Sequence, residues 1–99
     1  MTVTLQVRNQ VRDFESWKDA FDGYQRFREE SGVRRHRVLR RVDDPSRVDV
    51  ELDFDSVAEA GAFREKLEKV FATPRSRQEL LSHETPVLLN LVEMREPVG

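Results

Sequence analysis

Residues 47–54 read RVDVELDF, and the four residues before them, 43–46, read DDPS. Val48, Val50, Leu52 and Phe54 alternate with Asp49, Glu51 and Asp53. Successive side chains of an extended chain point to opposite faces, so this spacing predicts a strand with one apolar and one acidic face. The cluster Asp43-Asp44-Pro45-Ser46 predicts a turn. Proline fixes φ and removes a donor there, and aspartate side chains bond nearby backbone. Upstream of the turn, residues 33–42, VRRHRVLRRV, read as the hairpin partner. If the loop is the four residues 43–46, Arg40 stands opposite Asp49 and His36 opposite Asp53.

Outward from this hairpin the pattern changes to helical on both sides. Downstream, Ser56 and Glu59 fit a capping box, and Val57, Ala60, Phe63, Leu67 and Val70 recur along one side of a helix. Thr73-Pro74 marks a second helix start, with proline at the first helical position, for a short helix over 74–82. Pro86 then introduces a last strand, PVLLNLVEMR, over 86–95. Upstream, Ser31-Gly32 ends a helix, because glycine accepts the left-handed conformation that closes one. That helix opens on Asp13 as N-cap, has Glu15 in its first turn, and carries Phe14, Trp17, Phe21, Tyr24 and Phe27 on one stripe. Before it, Val3, Leu5, Val7 and Val11, with Asn9 among them, alternate with Thr4, Gln6, Arg8 and Gln10 over residues 2–11. The order is βαββαβ with a short extra helix. Right-handed crossovers place both long helices on one face of an antiparallel four-stranded sheet. The expected fold is an α+β, ferredoxin-like sandwich forming one domain over residues 1–99.

Such a fold leaves the other sheet face open. In the last strand Val87, Leu89 and Leu91 share one side, while Leu88, Val92 and Met94 share the other. A strand apolar on both sides is usually covered on both. A second copy of the same sheet, related by a two-fold axis, is the simplest cover, so a homodimer through the sheet face is expected. The competing cover is the short helix or the tail of this same chain.

Composition excludes several classes of chemistry. Seventeen basic residues against nineteen acidic ones give a net charge of −2, so no global field draws the chain to nucleic acid or to an anionic membrane. Arg34, Arg35, Arg37, Arg40 and Arg41 form the one basic run. RNA-binding domains of the same βαββαβ order stack bases on aromatics of their central strands, whereas residues 2–11 hold no aromatic and 47–54 hold only Phe54. The absence of cysteine removes disulfides, thiolate catalysis and cysteine-ligated metal. His36 and His83 lie 47 positions apart, which is no metal-ligand spacing. No glycine-rich phosphate loop and no nucleophile elbow occurs. The start, MTVTLQVRNQ, lacks an apolar run long enough for a secretory signal, and no stretch suits a membrane span, so a cytoplasmic location is the expectation.

Taken together, Ser31-Gly32, the strand after it, Asp43-Asp44-Pro45, the alternating strand ending Phe54-Asp55-Ser56, and Ala58-Glu59-Ala60 with Phe63 resemble the dimeric α/β-barrel superfamily. Within it the pattern is similar to antibiotic-biosynthesis-monooxygenase-like and small cyclase-like proteins, over roughly residues 3–95. The resemblance implies a subunit that dimerises through its sheet, with a pocket between sheet and helices. It also implies activities such as cofactor-free oxidation of aromatic polyketides, cyclisation or haem degradation. Oxygenase-like members often carry a histidine beside the aromatic of the second long helix, where this chain reads Gly61-Ala62-Phe63-Arg64. Asn9 and His83 match two of the residues haem degraders use, but the only tryptophan, Trp17, stands in the first helix, which argues against haem.

The candidate catalytic residues are therefore Asn9, Tyr24 and His83, with Trp17, Phe21 and Phe63 as ligand-binding walls, and no metal or cofactor. Each also has a structural reading. Asn9 near a strand end can bond loop backbone, the aromatics can be ordinary core, and His83 can be a surface loop residue. Two functions stand side by side. One is a small cofactor-independent enzyme that oxygenates or cyclises an aromatic or polyketide-like molecule. The other is a non-catalytic dimeric module for binding or association. A pre-formed apolar cavity above ~300 Å³ reached by at least two of the polar groups favours the first, and a solid core the second.

Overall fold

The computed structural model describes residues 1–97. Strand β1 (Val3–Val11) leads to helices α1 (Phe14–Asp22) and α2 (Gln25–Glu30). The hairpin of β2 (Arg35–Arg40) and β3 (Arg47–Phe54) follows, then α3 (Val57–Phe71), α4 (Pro74–Glu79), β4 (Leu80–His83) and β5 (Val87–Asn90). The sheet is antiparallel in the order β2-β3-β1-β4, and β5 also pairs with β1. This is the expected ferredoxin-like arrangement, with the fourth position shared by two short strands.

The alternation read from β1 and β3 sets the core. Val3, Leu5, Val7 and Val11 pack with Val48, Val50, Leu52 and Phe54, and Trp17, Ala60 and Phe63 cover them from the helices. Each of these side chains is at most 7% exposed, so the inner face is dry. The helix starts follow their capping residues. The Asp13 carboxylate accepts from Ser16 N at 2.9 Å, and Thr73 Oγ1 accepts from Ser76 N at 3.3 Å. Ser56 Oγ accepts from Glu59 N and donates to Glu59 Oε1, both at 3.2 Å. The box is thus closed hydroxyl to carboxylate, not carboxylate to the Ser56 N–H. Gly32 has φ +96°, and a Cβ there would stand 2.5 Å from Glu59 Oε2, so both backbone and space call for glycine.

Five expectations need correction. The first long helix is two. Gly23 N–H donates to Asp19 O, Tyr24 N–H to Phe21 O, and a new helix begins at Gln25. Glycine is a weak helix former, and the break at Gly23-Tyr24 re-aims the second segment. The hairpin register is shifted by one: Arg40 faces Val48, His36 faces Leu52, and Arg35 faces Asp53. The cause is the loop. Arg41 N–H donates to Arg47 O, while Asp44 Oδ1 accepts from Ser46 N and Oγ, so fully exposed Val42 joins the turn and the loop has one residue more. The strand over 33–42 is Arg35–Arg40. The short helix stops at Glu79, not 82, where β4 (Leu80–His83) begins, and the last strand expected over 86–95 is cut to β5 (Val87–Asn90). β4 and β5 are one edge strand along β1, interrupted at Glu84–Pro86, where proline has no N–H for the ladder.

Leu88 pairs with Leu5 on the inner side, whereas Val87 and Leu89 pair with Gln6 and Thr4 on the outer side. The open face therefore has two parts. Across β1–β3–β2 it is polar: Thr4 Oγ1 donates to Asp53 at 2.7 Å, Gln6 bonds Glu51, and Arg35 and Arg37 pair with Asp53 and Glu51. Along the β5 edge it is apolar, with Val87, Leu89 and Leu91 exposed.

Candidate functional site

The helices do not close fully onto the sheet. A cavity of about 100 Å³ lies between the inner face of β1 and β3 and the layer formed by α1, α2 and α3, with α4 at one end. Trp17, Phe21, Tyr24 and Phe27 enter it from the first two helices, and Phe63, Leu67 and Phe71 from the third. Trp17 and Phe21 stack with centroids 5.1 Å apart, and Phe63 lies 5.5 Å from both Phe27 and Phe54. Each such pair contributes ~0.5–1.5 kcal/mol beyond its buried area, so the walls are stiff. The volume is on the scale of the ~150 Å³ apolar cavity that accepts benzene; the core is thus not solid, but the cavity falls short of the ~300 Å³ expected for the enzyme. It suits a single ring. A larger ligand requires the helix layer to open, and the break at Gly23-Tyr24 is where two short helices are joined.

Five of the six residues singled out in the sequence line this cavity: Asn9, Trp17, Phe21, Tyr24 and Phe63. His83 does not. It stands opposite Asn9 in the ladder, but its exposed ring stacks on Phe71 at 4.0 Å, and Phe71 is the residue that reaches the cavity. As a general base or axial ligand inside the pocket, His83 is out of place. His36, expected to pair with Asp53, instead lies on the helix side of the sheet while remaining exposed. Its ring meets Phe21 edge-on at 5.5 Å. Partial burial, then the charges of Arg28 and Lys18, hold its pKa below the ordinary histidine value, with Asp22 opposing.

Asn9 is 7% exposed, between Val7 and Val11 on an apolar face, and its Oδ1 has no hydrogen-bond partner among the described residues. An unsatisfied buried acceptor costs ~1–3 kcal/mol. The expected bond to loop backbone is not made by this oxygen, so it is free to accept from a ligand.

Three further polar residues at the cavity escape a sequence reading. Arg28, on α2, is 4% exposed. Its Nη1 donates to Phe21 O at 2.7 Å, its Nη2 to Gln25 Oε1 at 2.9 Å, and its guanidinium lies 3.7 Å from the Phe21 ring centroid. Its Nε has no partner among the described residues. Burial holds its pKa below the ordinary arginine value, with Asp22 and Glu29 opposing. The signal was present: 17, 21, 24 and 28 share one helical stripe, so a charge at 28 points inward. At the other end, buried Glu79 accepts from Ser16 Oγ at 2.7 Å and Arg75 Nε at 3.1 Å. Nothing in the local sequence separates Glu79 and Arg75 from an exposed i,i+4 pair. Among the described residues no group of three or more potential ligands could hold a metal ion, and no helix is long and apolar enough to cross a membrane.

No protein-family model matches this sequence, and no curated protein matches it. Solved structures do. A cofactor-independent oxygenase from Streptomyces nogalater, SnoaB, superposes with a TM-score of 0.69 over 94% of this chain and 95% of its own, at 17% identity. A protein of unknown function from Nitrosomonas europaea gives 0.73 over 99% and 96%, at 18% identity. A dimeric ferredoxin-like protein from an uncultured marine organism gives 0.68 over 95% and 97%, at 15% identity. The chain has the fold of antibiotic-biosynthesis-monooxygenase-like and dimeric ferredoxin-like proteins.

Proposed function

We propose that the cavity binds a small aromatic molecule and that the chain, as a homodimer, oxygenates or cyclises it without a bound cofactor. The observation that carries this reading is an aromatic-walled cavity lined by Asn9, whose buried Oδ1 has no partner among the described residues. The rings of Trp17, Phe21 and Phe63 would hold the ligand plane, and Asn9 would accept a ligand hydroxyl proton and fix its orientation. Exclusion of water would strengthen that contact. The similarity in fold to an oxygenase that needs no cofactor agrees with this division of labour.

Phenol tests it. Its ring carbon opposite the hydroxyl takes one atom of dioxygen to give 1,4-benzoquinone and the other leaves as water, so the substrate itself is the reductant. Oxygen uptake well above the spontaneous rate, with benzoquinone formed, is the expected result. Saturable binding with conversion at the spontaneous rate would leave the second reading, a non-catalytic binding module.

The dimer belongs to the same proposal. Val87, Leu89 and Leu91, each 40% exposed or more, edge the open sheet face, and such apolar strips are uncommon on monomers. Dimeric character is also that of the marine ferredoxin-like neighbours. Sedimentation at micromolar concentration should give the mass of two chains, and a single-chain mass would remove this part.

A further inference from the structure

We infer that Arg28 is the anion-binding group of the cavity and that the ligand held there is an aromatic anion. This rests on the cavity being a ligand site and adds the chemical class of what enters it.

Arg28 is almost fully buried, yet among the described residues it takes part in no salt bridge. The nearby carboxylates are engaged elsewhere: Asp22 holds Lys18 at 2.6 Å, and Glu29 accepts from Gln25 at 2.9 Å. Buried cations are ordinarily paired. Hydrogen bonds to Phe21 O and Gln25 and the face of the Phe21 ring explain how the guanidinium is held in place. They do not neutralise it, and they leave Nε–H over in a residue that lines the cavity.

A guanidinium carries five N–H groups, and the bonds to Phe21 O and Gln25 use two of them, so donors remain for the oxygens of an anion. The surroundings agree in sign. Lys18 lies 5.9 Å from the centroid of the Phe21 ring on which Arg28 rests, and His36 meets the same ring and feels both charges. At the opposite end stands the Glu79 carboxylate, paired with Arg75. An aromatic anion therefore has one favoured orientation, its oxygen towards α2.

Three probes of similar size separate the possibilities in the full-length protein: nitrobenzene, 4-nitrophenol and benzoate. Ionised 4-nitrophenol absorbs in the visible, so its ionisation when bound is read directly. The expected result is that the bound probe ionises about tenfold more readily than the free one, as a neighbouring cation requires. Nitrophenolate and benzoate should both bind more tightly than nitrobenzene. Arg28→Gln should abolish the preference, with a thermal melt to show that the variant folds. Where it does not fold, the ranking of the three probes on the unaltered chain decides. Equal affinity for nitrobenzene and the two anions overturns the role of Arg28 while leaving the cavity as a binding site. If none of the three binds, the cavity is not a ligand site and the inference falls with it.

Discussion

Phe63→Ala should cost ~3–5 kcal/mol of stability, the range for removing a buried phenylalanine. Phe63 is 3% exposed and sits between Phe27 and Phe54, so its loss removes two aromatic contacts as well as transfer free energy. The void cannot collapse easily, because on one side it joins the existing cavity and on another it meets the fully buried Phe54 of β3. Typical domains have only ~5–15 kcal/mol in hand, so the variant should unfold at distinctly lower urea than the parent. The enlarged cavity should also accept two fused rings. Naphthalene at a hundred times its dissociation constant would restore ~2.7 kcal/mol. Urea titrations with and without naphthalene check both parts. An unchanged midpoint would mean that Phe63 is not part of the packed wall.

Asn9→Leu should move stability and binding in opposite directions. The side chain lies between Val7 and Val11 on the inner face, and its Oδ1 is buried without a partner among the described residues. Replacing an unsatisfied polar group by an apolar one that the cavity can accommodate should raise stability by ~1–2 kcal/mol. The same change removes the acceptor for a ligand hydroxyl, and affinity for phenol should fall about tenfold, the equivalent of one good hydrogen bond. A residue kept only for packing would show the first effect without the second. Thermal melts and phenol titrations on the same preparation distinguish the two.

How much of this was legible in the sequence depends on which force sets each feature. Val48 to Phe54 and Val3 to Val11 alternate because burial on one face demands it, and the element order and core follow from that. The hairpin register was off by one because loop length is set by a local bond, Asp44 to Ser46, that draws Val42 out of the strand. The break at Gly23-Tyr24 and the split of the edge strand around Pro86 are tertiary outcomes that glycine and proline permit but do not dictate. Of the site, the aromatic walls and Asn9 were visible as interruptions or repeats of a pattern. His83 was not, because a residue number does not reveal that Phe71 stands between its ring and the cavity. Arg28 was readable from its stripe, whereas the depth of Glu79 comes from α4 packing against α1 through Ser16.

The central claim is that a single aromatic ring enters the space between sheet and helices. Trp17, the one tryptophan, forms part of its wall and reports occupancy without labelling. Titration of the full chain with phenol should change Trp17 emission along a saturable curve, and the change should be shallower in Asn9→Leu. Emission that declines linearly with phenol, identically in both proteins, would mean collisional quenching from outside and would contradict the account.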